Sequence, residues 1–271
     1  MIMGTKMSLP REITDDEPGL GAWVILHGYR GSIAHGMYEP PQNPLSIDDK
    51  DTMAICVPPL DYYYGLSEYG SRGTREIKRG EWDVVIYEAR KAVRMLAQGN
   101  PNILSLLWLP DRLYISRTPA GQHLIEHREI FVARHVFHSF VGYAKGQLHR
   151  MTHGSQQGYM GDKRKRIVEQ FGYDTKNAAH LIRLLRMGIE FLHDGEMRVD
   201  RGGLDATELL DIKHGAWTLE QVQAEAARLF ARAEDAHDRS TLPLRPDRER
   251  VNELCLHVVG VALAEGRPLT M

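Results

Sequence analysis

Three aspartates have the types and spacing needed to bind a cation. Asp49 and Asp51 are two positions apart at the start of an apolar run, so on a strand both carboxylates would project from the same face. Asp83 begins the next apolar run and could stand beside them. Carboxylate oxygens suit hard cations such as Mg²⁺, and like charges brought together without a cation destabilise a fold. The pattern therefore predicts a divalent-cation site on one face of a sheet.

Gly31 and Ser32 follow the first apolar run and precede a stretch that could form a helical turn. Backbone N–H groups and a hydroxyl in such a turn can hold a phosphate, although Gly-Ser pairs are also common in ordinary turns. The acids have a simpler interpretation too, because Asp48 and Asp49 could form a hairpin connection. The sequence leaves open whether Asp48 or Asp49 is the first ligand, and the two-residue spacing to Asp51 favours Asp49.

A cationic helix face is the second candidate binding feature. Residues 174–195 predict a helix that begins at Asp174 or Thr175 and stops at Gly195. Opposite its apolar stripe lie three cationic or titratable side chains: Lys176, His180 and Arg183. A solvated surface is the ordinary explanation. The helix carries no Glu partners on this face, however, so it is also a candidate for binding a triphosphate or the leaving pyrophosphate.

A basic stretch at 161–166 has two open interpretations. Together with the preceding Lys145, His149 and Arg150, it is either an exposed loop or a segment that closes over nucleotide or RNA. Tyr159 would be available for stacking on a base. The sequence does not decide between these two possibilities.

Apolar periodicity predicts the elements that position these residues. β-rich runs at 22–27, 52–59 and 82–88 predict three strands, and helices begin at Ala89. The rest of the chain is mostly helical, with candidate helices at 123–151, 174–195, 218–240 and 247–266. We therefore expect a mixed α and β part over 1–120 and a helical part over 121–271.

Composition limits the class of protein. The chain has 271 residues, 42% hydrophobic and 26% charged, enough for one large domain or two modest ones. Its net charge of -2 argues against a generic nucleic-acid-coating protein. His123 and His127 have the i, i+4 spacing of a zinc site, but without an HExxH pattern structural roles are favoured. Cys56 and Cys255 lack CxxC partners, and no signal-peptide-like or membrane-spanning run is present, so we expect a cytoplasmic protein.

The combined pattern resembles the active site of the DNA polymerase β-type nucleotidyltransferases. The matching segments are GSIAHG, SIDDKDTMAICV and WDVVIY. Two later segments, 89–108 and 174–195, are similar to a predicted-nucleotidyltransferase subfamily associated with RNA-repair genes, so the resemblance spans about residues 22–220. It implies an α+β fold, in which a polymerase β-like catalytic domain (a small mixed sheet with helices) at 1–120 precedes an all-helical domain at 121–271. The long spacer containing YEPPQNP departs from the family pattern.

The resemblance also implies a reaction, the transfer of a nucleoside monophosphate from an NTP to an acceptor hydroxyl with release of pyrophosphate. In that family the acids bind two Mg²⁺ or Mn²⁺ ions, a role that carries over to Asp49, Asp51 and Asp83, and the third acid could help deprotonate the acceptor. The Gly-Ser turn holds the triphosphate, with Lys176, His180 and Arg183 as further candidates. The acceptor could be an RNA end, a small molecule or a protein, and the subfamily's RNA-repair neighbours favour RNA.

Two other classes of function stay open. A nucleotide-sensing or RNA-binding module could keep the fold without turnover, although three acids without a metal would repel one another. A different two-metal enzyme, such as a phosphohydrolase, would normally need more His-Asp pairs near the acids than this chain has. The base preference and the oligomeric state are not encoded in any pattern that we recognise.

Overall fold

Five strands form one mixed sheet in the computed structural model, which describes residues 9–40, 48–153 and 162–265. The strands are β1 (Val24–Tyr29), β2 (Lys50–Cys56), β3 (Thr74–Arg79), β4 (Trp82–Glu88) and β5 (Tyr114–Arg117). Their order across the sheet is β3-β4-β2-β1-β5. β2 and β4 are parallel, whereas the other neighbouring pairs are antiparallel. The three predicted strands are therefore present, as β1, β2 and β4.

The register of β2 and β4 brings two of the predicted acids together. Asp51 lies directly opposite Asp83 in the parallel pair. Further along the same face, buried side chains join the main hydrophobic cluster: Met53, Ile55 and Val85. The opposite face contributes Ala54, Val84 and Ile86 to a second, smaller cluster. Because strand side chains alternate between faces, both carboxylates project toward the side of the sheet that the helices cover.

Helices follow and cover the sheet. In the described residues they are α1 (Arg11–Thr14), α2 (Gly31–Ala34), α3 (Asp61–Tyr64), α4 (Ala89–Ala97), α5 (Pro101–Leu107), α6 (Pro119–Glu126), α7 (Val136–His153), α8 (Asp162–Phe171), α9 (Thr175–Asp194), α10 (Ala206–Lys213), α11 (Leu219–Arg239) and α12 (Arg248–Glu265). α9 packs against α7, α10 and α11. A single hydrophobic cluster contains residues from the sheet and from these helices.

The ends of α9 are those that the sequence predicts. The side chain of Asp174 accepts a hydrogen bond from the N–H of Asn177, which satisfies one N-terminal donor of the helix. Gly195 has φ 70°, the left-handed conformation that glycine adopts most readily, and its N–H donates to the carbonyl of Phe191. These caps fix where the cationic side chains of the helix begin.

The predicted long helix at 123–151 is wrong as a single element. α6 ends at Glu126, a short 3₁₀ turn follows, and α7 begins only at Val136. Between them Val132 has extended backbone, and the N–H of Arg134 donates to the carbonyl of Pro243 at 2.8 Å. This contact, distant in the sequence, replaces the hydrogen bonds of a continuous helix. The short elements β5 and α10 were not predicted either.

The α+β class is confirmed, with the sheet in the first part of the chain and helices in the second. The domain boundary near residue 120 stays a prediction. α6 begins at Pro119, just before that boundary, and contacts both β1 and α12. Within the described ranges, none of the helices combines the length and the apolar character needed to cross a membrane.

Candidate active site

A cavity of about 390 Å³ lies where the beginnings of β2 and β4 face the first half of α9. This volume is in the range of small-molecule sites. All eight predicted site residues contribute to its lining: Gly31, Ser32, Asp49, Asp51, Asp83, Lys176, His180 and Arg183. The fold thus brings the acids, the Gly-Ser turn and the cationic helix face to one place.

Asp51 and Asp83 share a cation supplied by the protein itself. One guanidinium nitrogen of Arg30, Nη2, lies 3.0 Å from Oδ1 of Asp83 and 3.5 Å from Oδ1 of Asp51. Lys78 adds a more exposed contact, with Nζ 3.2 Å from Oδ2 of Asp83. Burial raises the pKa of Asp51, the charge of Arg30 opposes that shift, and the charge of Asp83 adds to it. Two of the three acids inferred from the sequence, Asp51 and Asp83, therefore lie side by side, and Arg30 neutralises their charge in part.

Glycine is required at position 31 because the backbone there lies directly against the side chain of Asp51. Gly31 has a φ of +60°, which lies in the left-handed region, and a Cβ at this position would be 2.2 Å from Oδ2 of Asp51. The N–H of the preceding Arg30 also donates to the carbonyl of Asp51, at 2.9 Å. The Gly-Ser turn is consequently held directly beside the acid pair, with Ser32 on the same cavity wall.

Asp48 and Asp49 have different environments. Asp48 is buried, and its Oδ2 accepts hydrogen bonds from Nζ of Lys213 at 2.7 Å and from the N–H of Glu39 at 3.1 Å. Lys176 approaches Oδ1 of Asp48 at 3.6 Å. Asp49 is exposed and lines the cavity. Of the two acids, Asp49 is thus the one whose carboxylate is accessible to a ligand.

A buried charge network surrounds Asp48, and we call Lys213, Glu39, Asp48 and His214 the Lys213 cluster. Nζ of Lys213 lies 2.9 Å from Oε2 of Glu39, and Nε2 of His214 lies 2.8 Å from Oε1 of the same carboxylate. Burial alone would raise the pKa of Glu39, but the hydrogen bonds from Lys213 and His214 lower it. Through this cluster α10 is joined to the residue that directly precedes Asp49.

The cationic face of α9 carries no Glu partners of its own, but it is partly paired with an acid from another part of the chain. Lys176 forms the ion pair with Asp48 described above, an acid from another element. Arg183 instead donates from Nη1 to Nε2 of His35 at 2.6 Å. Among the described residues, no carboxylate lies within 4.0 Å of the Arg183 guanidinium. The helix therefore presents one cation that is paired with an acid and one that is not.

Arg183 and His35 are held as a fixed pair. Nδ1 of His35 donates to the carbonyl of Val199 at 2.8 Å, so Nε2 is left to accept from Arg183. Burial, followed by the charge of Arg183, lowers the pKa of His35 well below its usual value and keeps the ring neutral. Part of Arg183 is reachable from the cavity, but protein surrounds the guanidinium, and this burial together with the charge of Arg201 lowers its pKa to about 9. An anion in the cavity would relieve this unfavourable charge.

The donor set fits a hard divalent cation in its chemistry. Among the described residues, no group of three or more His, Cys, Asp or Glu side chains is already arranged as a metal site. Asp51 and Asp83 are nevertheless side by side, and Asp49 lines the same cavity. Carboxylate oxygens of this kind match the ligands that Mg²⁺ and Mn²⁺ prefer. Binding such an ion between Asp51 and Asp83 would require Arg30 to move.

The other sequence candidates are the basic stretch at 161–166, with Tyr159, and the histidine pair. Tyr159 and Gly161 are outside the described residues, and α8 begins at Asp162. His123 stacks against His127 and His257 with ring centroids 4.0 and 4.1 Å apart, between α6 and α12. Neither the described part of the basic stretch nor the group of His123, His127 and His257 contributes to the lining of the cavity.

The chain matches the sequence profile of the RNA repair pathway DNA polymerase beta family, RlaP, over residues 12–257. The chain belongs to this family. RlaP proteins are of the polymerase β type, that is, of the nucleotidyltransferase type, and are linked to RNA repair. The match confirms the resemblance at the level of the subfamily and covers both the sheet and the helices. No curated protein matches the chain.

Sequence reasoning missed several residues that shape this RlaP site. Arg30 directly precedes the Gly-Ser pair, so its position was a usable indication that it lies near the acids. Lys213 is 165 positions from Asp48 and lies on a short helix that the periodicity does not reveal. His35 follows the Gly-Ser turn but carries no pattern that would link it to Arg183.

Proposed function

We propose that this RlaP protein is a metal-dependent nucleotidyltransferase that moves a nucleoside monophosphate from an NTP to an acceptor hydroxyl and releases pyrophosphate. One observation carries the proposal: a single cavity has paired carboxylates on the sheet side and an arginine without a carboxylate partner on the α9 side. A metal–triphosphate complex needs both, because the negative carboxylates bind the metal and the positive arginine binds the phosphates. Membership of a polymerase β family supports the reaction type.

Asp49, Asp51 and Asp83 would hold Mg²⁺ or Mn²⁺. We choose Asp49 over Asp48 because Asp48 is buried in its contacts with Lys213 and Glu39. Bound cations of this kind neutralise charge on the transferred phosphoryl group and on both oxygens of the displacement. Asp83 could in addition accept the proton of the attacking hydroxyl.

The opposite side of the cavity would bind the triphosphate. Burial and the charge of Arg201 lower the pKa of Arg183 to about 9, and the charge of Asp205 opposes this shift only in part. A phosphate oxygen would supply further negative charge through a charge-assisted hydrogen bond. Ser32 and the backbone around Gly31 would hold the other end of the triphosphate, as the family resemblance implies. His180 and Lys176, the latter shared with Asp48, would add positive potential.

We propose an RNA end as the acceptor, because the family is linked to RNA repair. A protein side chain or a small molecule would satisfy the same cavity chemistry. In the test below, label found on the protein or on a small molecule, and not on RNA, would indicate one of these acceptors instead.

The test is incubation of the protein with each labelled NTP, Mg²⁺ or Mn²⁺, and total RNA. Label attached to RNA supports the proposal, and its loss in Asp49→Ala and Asp51→Ala supports the site. Asp238→Ala is the matched control, because Asp238 is an exposed acid on α11. Nucleotide hydrolysis without transfer would favour a phosphohydrolase. Tight NTP binding without any conversion would favour a sensing module and contradict the proposal.

A further inference from the structure

Arg30 contacts both carboxylates that we propose as metal ligands. Its Nη2 lies 3.0 Å from Asp83 and 3.5 Å from Asp51, whose side chains face each other across β2 and β4. In the residues that the structure describes, Nε of Arg30 is buried and has no hydrogen-bond partner. Among the described residues, the guanidinium is therefore held by these two acids and is incompletely satisfied.

A guanidinium and a divalent cation cannot occupy the same place between two carboxylates. They compete for the same oxygens, and they repel each other at contact distance. The side chain of Arg30 is 30% exposed and lines the same cavity as Ser32 and Arg183. If it leaves the acids, the long side chain can thus remain inside the cavity. A planar fork of N–H donors is well suited to phosphate oxygens there.

We infer that Arg30 exchanges partners when substrate binds: it leaves Asp51 and Asp83 as a divalent cation binds to them, and its guanidinium then binds the triphosphate. This inference rests on the proposed function, since it uses the proposed metal ligands. The exchange of partners predicts an effect on binding that a purely structural role of Arg30 would not produce. Arg30 weakens the binding of a metal alone, but strengthens the binding of a metal–triphosphate complex.

Two binding measurements on Arg30→Met test the exchange. The affinity for Mn²⁺ alone can be followed by electron paramagnetic resonance. The affinity for the manganese complex of inorganic tripolyphosphate, which avoids any base preference, can be measured by calorimetry. We expect Mn²⁺ to bind about tenfold more tightly to the variant, and the tripolyphosphate complex about tenfold more weakly.

Lys78→Met is the matched control. Lys78 contacts the same Asp83 at 3.2 Å, but its side chain is 75% exposed, so solvent screens its charge. We expect each affinity to change less than about threefold in this variant. Arg30→Lys, which keeps the charge without the fork, should change both affinities in the same directions as Arg30→Met but less. It also serves as the test variant if Arg30→Met does not fold.

Opposite changes in the two affinities support the exchange. Equal Mn²⁺ affinity in the wild type and Arg30→Met, or a fall of both affinities together, would overturn it and leave Arg30 a structural residue. Those outcomes do not affect the proposed metal site. By contrast, if Mn²⁺ binding is absent from the wild type and Arg30→Met alike, or is unchanged by Asp51→Asn, the proposed metal site is itself wrong, and the exchange with it.

Discussion

Two charge clusters lie at the beginning of β2, and they differ mainly in accessibility. The Lys213 cluster contains Asp48, and the second, which we call the Arg30 cluster, consists of Arg30, Asp51 and Asp83. In the Lys213 cluster, the side chains of Lys213 and Asp48 are 6% and 1% exposed. In the Arg30 cluster, the side chains of Arg30 and Asp51 are 30% and 25% exposed. Asp48 and Asp51 are three positions apart in the sequence, yet they are suited to different roles. Asp48 stabilises the fold, and Asp51 is accessible to a ligand.

Two arginines of α9 repeat this contrast one turn apart. Arg186 lies within 4.0 Å of three carboxylates, those of Asp205, Glu208 and Glu225. Burial lowers the pKa of Arg186, but the hydrogen bonds to Glu208 and Asp205 raise it by more, so the pKa is raised overall. Arg183 has no such partner among the described residues, and its pKa is lowered to about 9. Of these two arginines, only Arg183 is part of the described lining of the cavity, and Arg186 is not.

The largest expected effect separates Asp51 from Asp48. Asp51→Asn should reduce nucleotidyl transfer about 10³-fold, because it removes a proposed metal ligand. It should change the free energy of unfolding by less than about 1 kcal/mol, since the side chain is partly exposed and burial raises its pKa. Transfer assays with labelled NTP and urea unfolding check both values.

Asp48→Asn is the control three positions away. It should destabilise the fold by about 2 kcal/mol, because it weakens a buried charge-assisted hydrogen bond to Lys213. Any residual folded protein should keep more transfer activity than Asp51→Asn. If Asp51→Asn keeps activity and Asp48→Asn loses it at full stability, the assignment of the two acids is reversed.

The second prediction concerns Lys213. Lys213→Met should lower the free energy of unfolding by about 3–5 kcal/mol, because it leaves Glu39 and Asp48 buried without their shared cation. Lys78→Met removes a cation from an acid of the Arg30 cluster, but at an exposed position, so it should cost about 0–1 kcal/mol. Chemical denaturation of both variants gives the comparison. Similar losses in the two would mean that the burial difference between the clusters has no energetic importance.

Local patterns were enough to predict the parts of the site that come from consecutive residues. The Gly-Ser turn, the strand of Asp51, the strand of Asp83 and the caps of α9 all follow from periodicity and capping residues. Asp51 and Asp83 meet because the two strands are adjacent and parallel. The sequence suggested that Asp83 could stand beside Asp51, but it did not predict the parallel pairing. The roles of both acids as ligands stay a prediction.

Contacts between distant segments could not be predicted from the sequence. Lys213 and His35 are ordinary polar residues until the fold brings them to Asp48 and Arg183. The same limitation explains the divided helix at 123–151, where a hydrogen bond to Pro243 replaces helical ones. Periodicity describes which face of an element is buried. It does not describe which partner a buried charge will find.

The third prediction uses the two arginines of α9. Arg183→Met should weaken binding of the manganese–tripolyphosphate complex by about 10- to 100-fold, the loss of a charged hydrogen bond to phosphate. Arg186→Met should leave that affinity within about threefold and instead lower the free energy of unfolding, because Asp205, Glu208 and Glu225 lose their shared cation. Calorimetry and denaturation distinguish the two effects. Equal losses of affinity in both variants would contradict the division of α9 into a binding and a structural part.

The smallest expected effect is a pH dependence in the Lys213 cluster. The hydrogen bonds from Lys213 and His214 lower the pKa of Glu39 below its usual 4.5, against the effect of burial. A carboxyl group whose pKa is lower in the folded state stabilises the protein above the unfolded-state pKa, and that stability is lost as the pH falls through the folded-state pKa. Glu39→Gln should therefore be less stable than the wild type by about 1–2 kcal/mol at pH 7.

The difference between Glu39→Gln and the wild type should shrink as the pH falls below about 4.5, since only the wild type then loses the charge. Urea unfolding of both proteins between pH 7 and pH 3 measures this change. In a Lys213→Met background the same substitution should have a smaller effect, because Lys213 supplies one of the two hydrogen bonds that lower the pKa. A difference that stays constant with pH would mean that Glu39 contributes through its shape and its neutral hydrogen bonds rather than through its charge.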